Sequence, residues 1–217
     1  LIYEWIDGGA LNTKYDELND FDFYQRGVEV GSNFYEINKV MVDSDFYQEY
    51  DLSVFANEVK NNFNKLYHGK LSYIKDQIDG KMMESILGRF EELLISFKNE
   101  KKVYIHSDIH PKNIMVDSDG CTHIIDIEDL KIDYFVMNLR WSIAAAFSHQ
   151  KNCEFFKGFI KGYYKEIPKN FYNQLIFVLI LNFLDHVIEF NGIKSEKFIK
   201  EYVKKVKMIF DNTPIYE

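Results

Sequence analysis

The sequence predicts an α+β fold, mainly α-helical, and three observations carry that expectation. From residue 51 onward, apolar residues recur every three or four positions over long stretches, the spacing of helices that bury one face. Between those stretches, Ile105 to Leu130 holds short apolar runs split by Asp117-Ser118-Asp119-Gly120, the pattern of strands joined by a tight turn. Of the 217 residues 47% are hydrophobic and 17% aromatic, enough for one large core or two modest domains.

Taken in order, Leu1 to Ile6 has strand composition and stops at the turn signal Asp7-Gly8-Gly9, so the chain is expected to begin inside a strand with more sequence ahead of it. Residues 10–50 are rich in acids and aromatics, with Gly27 and Gly31 breaking strand-like pieces such as Phe34 to Val42. A helix follows from Asp51, with Leu52, Phe55, Val59, Phe63 and Leu66 on one face and His68-Gly69 as its stop. A second runs from Lys81 to Asn99. After the central strands, helices are expected over Tyr134 to Gln150, Cys153 to Glu166, Asn170 to Asn191 and Ser195 to Phe210. The unbroken apolar run Leu175 to Leu181 is far shorter than the ~20 residues that cross a bilayer, so a buried helix and no membrane partner are expected.

A net charge of -8 argues against nucleic acid as a partner, because phosphate backbones need a basic face. It favours a neutral or cationic ligand. Cys121 and Cys153 lack metal-ligand spacing and read as buried free thiols, which fits a reducing cytoplasm.

Chemistry concentrates in "IHSDIHPKNIMVDSDGCTHIIDIEDL", Ile105 to Leu130. A two-residue turn centred on Asp119-Gly120 pairs Val116 with His123, Ile114 with Ile125 and Asn113 with Asp126. Strands lie about 4.8 Å apart, so an amide and a carboxylate would converge there on a small hard cation such as Mg2+. Asp108, five residues before Asn113, is near enough to take a proton from a hydroxyl held beside that metal. The plain alternative is a polar turn, since Asp, Asn and Gly favour turns on their own account.

At these residues a resemblance appears. His106-Ser107-Asp108 through Asn113 matches the HxDxxxxN catalytic loop of kinase-like phosphotransferases, and Asp126 takes the place of their second metal-binding aspartate. "HSDIHPKN" is similar to the HGDxHxxN loop of small-molecule kinases and "IIDIED" resembles their IDxED stretch, so the chain looks like the aminoglycoside phosphotransferase and choline kinase superfamily. "LIYEWIDGG" resembles that family's hinge.

The resemblance implies a protein-kinase-like C-terminal lobe: a hinge strand over 1–9, an insertion or substrate-shaping segment over 10–50, and a helical catalytic lobe over 51–217, with its catalytic loop at 105–113 and its metal hairpin at 114–128. It implies Asp108 as catalytic base, His106 as the loop's brace, Asn113 and Asp126 as Mg2+ ligands, and the hinge backbone of Glu4, Trp5 and Ile6 as the contact for ATP or GTP. The acceptor would be a hydroxyl of a small, cationic molecule: an aminoglycoside, choline or another amino alcohol. Glu128, Asp129 and Asp185 are weaker substrate candidates, each with a plain reading as a helix-end or solvated acid. His110 divides evenly between a functional role and a hydrogen bond within the loop.

The sequence has no GxGxxG; Gly27, Gly31 and Lys39 imitate a phosphate-covering loop only faintly and in the wrong order. The N-terminal lobe is therefore expected to be absent from this chain, leaving it inactive alone. A catalytically silent, ligand- or protein-binding relative is the second reading.

Overall fold

Two glycine pairs set the geometry of the longest helix pair. Gly27 and Gly31 lie four apart on α1 (Asp20–Met41), and Gly158 and Gly162 lie four apart on α4 (Gln150–Tyr163). A Cβ on Gly27 would stand 2.0 Å from the Phe155 carbonyl oxygen, and one on Gly158 would stand 2.0 Å from that of Tyr24. Gly31 and Gly162 are as tight, so the two backbones touch where any side chain would separate them. Phe34 packs edge-on against Phe159 beside this seam, with ring centroids 5.9 Å apart. Asn19 and Asp22 cap the start of α1 reciprocally: the Asn19 N–H donates to Asp22 Oδ2 at 2.9 Å and the Asp22 N–H to Asn19 Oδ1 at 3.1 Å.

These coordinates are a computed structural model that describes residues 6–41, 51–127, 130–140 and 149–211. The chain forms two compact units, one from Leu1–Gln48 with Glu100–Phe171 and the other from Glu49–Asn99 with Tyr172–Glu217.

In the first unit, β1 (Gly8–Ala10), β3 (Ile114–Asp117) and β4 (Thr122–Ile124) form an antiparallel sheet in the order β1-β3-β4. A separate antiparallel pair joins β2 (Val103–His106) to β5 (Leu130–Asp133). The second unit holds α2 (Leu52–His68), α3 (Gly80–Leu93), α5 (Phe171–Phe190) and α6 (Glu196–Asp211). Asp51 caps α2 by accepting from the Ser53 and Val54 N–H groups, and Asp79 caps α3 through Met82. α5 has the length and hydropathy of a membrane span, yet 61% of that stretch is buried within the protein. Phe177 on it stacks on Phe90 with centroids 4.6 Å apart, as befits a core helix.

Several sequence expectations change. Residues 20–41 form one helix rather than broken strand-like pieces, because Gly27 and Gly31 take helix-interface positions beside buried Phe23, Val30 and Phe34. Lys39 is exposed on the same helix beside Glu36, and the two glycines face α4, so no phosphate-covering loop forms from them. Gly8 and Gly9 pair with β3 instead of ending a strand, and a Cβ on Gly8 would stand 2.2 Å from the Val116 oxygen. Leu1 to Trp5 lie outside the described residues, and Ile6 is outside any strand.

The helix expected over 134–150 is a 3-10 turn at Phe135–Leu139, with 141–148 outside the described residues. The Lys81 to Asn99 helix ends at Leu93 and continues as a 3-10 turn over Leu94–Phe97. Both cysteines are free, but Cys121 is exposed and Cys153 half-buried rather than both buried.

Candidate active site

The loop between β2 and β3 is held before it starts. Asn38 on α1 grips both backbone groups of Tyr104: its Oδ1 accepts the Tyr104 N–H at 2.6 Å and its Nδ2 donates to the carbonyl at 3.0 Å. β5 pairs along the strand, setting Ile132 opposite Tyr104 and Leu130 opposite His106. The His106 N–H then donates to Asn138 Oδ1 at 2.9 Å, and Asn138, fully buried, anchors itself on the Phe135 carbonyl at 2.7 Å.

His106 is also fully buried, and its ring ties the loop to the next strand. Its Nδ1 accepts the Asp108 N–H at 3.3 Å, which leaves Nε2 as the donor to the Ile125 carbonyl at 2.9 Å. One imidazole thus fixes the backbone at Asp108 and at the residue preceding Asp126.

Asp108 and Asn113 meet directly. Asn113 Nδ2 donates to the Asp108 carbonyl at 3.0 Å and to its Oδ2 at 3.3 Å. His110 Nε2 lies 3.2 Å from the same Oδ2, while His110 Nδ1 accepts the Lys112 N–H at 3.1 Å and caps the 3-10 turn Pro111–Asn113. The Asp108 side chain remains 41% exposed, so one carboxylate oxygen is held and the group still reaches solvent. The donor end of the Asn113 amide is occupied, which leaves its oxygen as the end available to a cation.

The hairpin register differs from the sequence expectation by one residue. Ile114 faces Ile124, Met115 faces His123 and Val116 faces Thr122. The reason is a longer turn: the Asp117 N–H bonds to the Cys121 carbonyl at 3.0 Å across a three-residue loop, with Gly120 at φ +80. Asn113 is therefore opposite Ile125, whose N–H donates to its carbonyl at 3.0 Å, and Asp126 comes one residue later. Asp126 sits at φ 58, a left-handed conformation that Asp tolerates better than most residues, and its side chain is exposed.

Strand alternation sorts the sheet into two faces. Gly8 faces Asp117 and Ala10 faces Met115 across β1–β3, so Gly8, Ala10, Met115, Asp117 and His123 share one side while fully buried Ile114 lies on the other. On the first side Asp117 and His123 bond through Oδ2 and Nε2 at 2.7 Å. The His123 ring, followed by the Cys121 and Asp119 N–H donors, holds the Asp117 carboxyl below its ordinary value. A cleft of about 720 Å³ opens beside this end, lined in part by Ile6, Asp7, Glu36 and His123. Asp133, by contrast, is buried at the end of β5, and burial raises its carboxyl although the Tyr134 N–H donates to it.

The fold therefore brings His106, Asp108 and Asn113 into one hydrogen-bonded group with Asp126 one residue beyond it. Glu4, Trp5, Glu128 and Asp129 lie outside the described residues. Asp185 is on α5 of the second unit, where burial and then the Asp185 charge raise the Tyr202 hydroxyl. Among the described residues, no three His, Cys, Asp or Glu side chains cluster as a metal cage. Sequence reading overlooked Asn38 and Asn138, which no motif marks, and the Ala10–Met115 face, which alternation from Asn113 reaches once the register is known.

A hydrogen-bonded His-Asp-Asn loop feeding a small hairpin is the arrangement of the kinase-like fold, and comparison with known proteins agrees. A profile of the phosphotransferase enzyme family matches residues 2–170, and the chain belongs to that family. An aminoglycoside phosphotransferase from Alicyclobacillus acidocaldarius superposes with a TM-score of 0.64 at 12% identity, over 98% of this chain and 70% of that one. Spectinomycin phosphotransferase in complex with ADP and spectinomycin gives 0.62 at 14% identity, over 97% and 70%. The choline kinase LicA from Streptococcus pneumoniae gives 0.53 at 14% identity, over 88% and 66%. None of the curated proteins matches the chain significantly by sequence.

Proposed function

We propose that this chain carries the catalytic side of a small-molecule kinase that moves the terminal phosphate of ATP or GTP to a hydroxyl of a small, cationic alcohol. The observation that carries the reading is the Asp108–Asn113 pair, in which one amide orients the carboxylate and keeps its own oxygen free. Asp108 takes the proton from the acceptor hydroxyl as that oxygen attacks phosphorus, and the nucleoside diphosphate leaves. His106 acts through the backbone, holding Asp108 and the Ile125–Asp126 turn in place.

The donor set fits Mg2+. Two oxygen ligands, the Asn113 amide and the Asp126 carboxylate, are too few for an all-protein cage, and this metal commonly completes its shell with nucleotide phosphates and water. When bound there it would neutralise charge on the transferring phosphate. Gly8, Ala10 and Met115 share one face of the sheet, and small or apolar residues of that kind would suit the flat base of the nucleotide. The acidic balance of the chain, -8, supports a cationic acceptor, whose affinity would fall as salt rises.

The experiment is a nucleotide-consumption assay on the full-length natural polypeptide with Mg2+, ATP or GTP, and a panel of aminoglycosides, amino alcohols, sugars and nucleosides. Acceptor-dependent turnover with at least one amino alcohol or aminoglycoside is expected. Binding without turnover across the whole panel would replace this reading with that of a silent relative.

A further inference from the structure

β2 leads straight into the catalytic loop, and among the described residues its strand partner is β5, on one edge. Successive residues of a strand turn their backbone N–H and C=O groups to opposite edges, so Tyr104 and His106 present theirs to the same one. Two asparagine side chains occupy the edge away from β5. Asn38 Oδ1 accepts the Tyr104 N–H at 2.6 Å, Asn38 Nδ2 donates to the Tyr104 carbonyl at 3.0 Å, and Asn138 Oδ1 accepts the His106 N–H at 2.9 Å. A primary amide carries a donor and an acceptor, as a peptide group does, so Asn38 supplies what a neighbouring strand would. Both asparagines are buried, Asn38 at 4% exposed and Asn138 at 0%, so water does not compete for these bonds. Asn138 comes from the 3-10 turn that follows β5, whereas Asn38 stands on α1 and ties the strand to that helix.

We propose that Asn38 is a positioning residue for phosphate transfer: by clamping Tyr104 to α1 it sets where β2 stands, and through Ile105 and His106 it sets the place of Asp108. This rests on the reading of Asp108 as the base. Ile105 and His106 are fully buried, so a displacement at Tyr104 is carried along the strand instead of being taken up by a loose segment. His106 Nδ1 then accepts the Asp108 N–H, which passes the displacement to the base. Loss of alignment there lowers the rate of the chemical step without changing how substrates bind.

Asn38→Asp reads the clamp through pH. A protonated carboxyl keeps both contacts, its C=O accepting the Tyr104 N–H and its O–H donating to the Tyr104 carbonyl. The ionised form has no donor and sets a negative oxygen against that carbonyl. Burial at this position pushes the introduced carboxyl up, and Tyr163, an ionisable side chain beside Asn38, stays neutral because burial raises its hydroxyl to about 12. In the active full-length protein, with kcat counted per nucleotide-binding site, the variant is expected to fall about tenfold or more below wild type at high pH and to return toward it as pH is lowered, with KM for both substrates within about twofold throughout. Asn38→Leu, which makes neither contact, should stay low at every pH, and the Asn38→Asp profile decides even where Asn38→Leu does not fold. A ratio to wild type that does not change with pH, or a loss carried by KM, would overturn the proposal.

Backbone amide NMR gives a readout that needs no activity. In Asn38→Asp the Tyr104, His106 and Asp108 amide resonances are expected to share one titration step that wild type lacks. A step at Tyr104 alone, with His106 and Asp108 unmoved, would show that the clamp ends where it binds and would overturn the proposal even in an active enzyme. Absence of turnover with every acceptor, alongside the shared step, would instead remove the kinase reading and with it the positioning role, and leave the Asn38–Tyr104 contact standing as a structural clamp.

Discussion

Asp108 keeps 41% of its side chain exposed while Asn113 holds one of its oxygens, a compromise between orientation and access that suits a base. Asp108→Asn in the full-length protein should preserve nucleotide binding and lower turnover by about 10² or more, since a positioned base contributes roughly 10²–10⁴. Single-turnover kinetics beside nucleotide titration checks this. Asp126→Ala should weaken Mg2+-dependent nucleotide binding more than acceptor binding, and calorimetry with each ligand separates the two. Asp117 makes a different kind of prediction. Its carboxyl is held below the ordinary 3.8 by His123 first and by two backbone donors, so its contribution to stability is present above that value and lost as pH falls through the lowered one. In acid, wild type should lose hydrogen-exchange protection at the Asp119 and Cys121 amides below about pH 4, whereas Asp117→Asn should show no such step.

At the scale of elements, the α1–α4 seam depends on glycine for contact, while Gly88 on α3 has open space around a built Cβ. Gly158→Ala must push a methyl into the Tyr24 carbonyl 2.0 Å away, and should cost about 1–3 kcal/mol or more. Gly88→Ala, with nothing within 4 Å, should instead stabilise by roughly 0.4–1 kcal/mol through the unfolded chain. Denaturant titration of the two variants tests both signs. The same seam explains why α1 was hard to read: at Gly27 and Gly31 its buried stripe carries no apolar side chain, and glycine lowers intrinsic helix propensity, so the periodic signal falls silent where packing is closest.

For the whole molecule, the two units each draw on separated stretches of chain and each carries its own aromatic core. Phe34 and Phe159 serve the first, and Phe90, Phe97 and Phe177 the second. Phe177 is fully buried between Phe90 and Phe97, and Phe177→Ala should cost about 3–5 kcal/mol. Native-state hydrogen exchange is expected to show that loss concentrated in α2, α3 and α5, with Gly158→Ala acting on α1, α4 and β2. Uniform loss of protection over the chain in both variants would mean that the units unfold together.

The sequence by itself determined the mainly helical α+β class, most of the helices after Asp51 and the loop motif from His106 to Asn113, because helix periodicity and a fixed motif are local signals that survive without neighbours. His106, Asp108 and Asn113 were legible as types at a spacing. Tertiary structure decided what that spacing does. The one-residue shift of the hairpin came from a three-residue turn with Gly120 at φ +80, where Asp-Gly more commonly signals a two-residue turn. Asn38 and Asn138 became loop anchors only because α1 and the 3-10 turn at Phe135–Leu139 bring them to backbone groups 66 and 32 residues away along the chain. A side-chain amide carries no mark of its partner; the backbone group it meets comes within reach only in the folded protein.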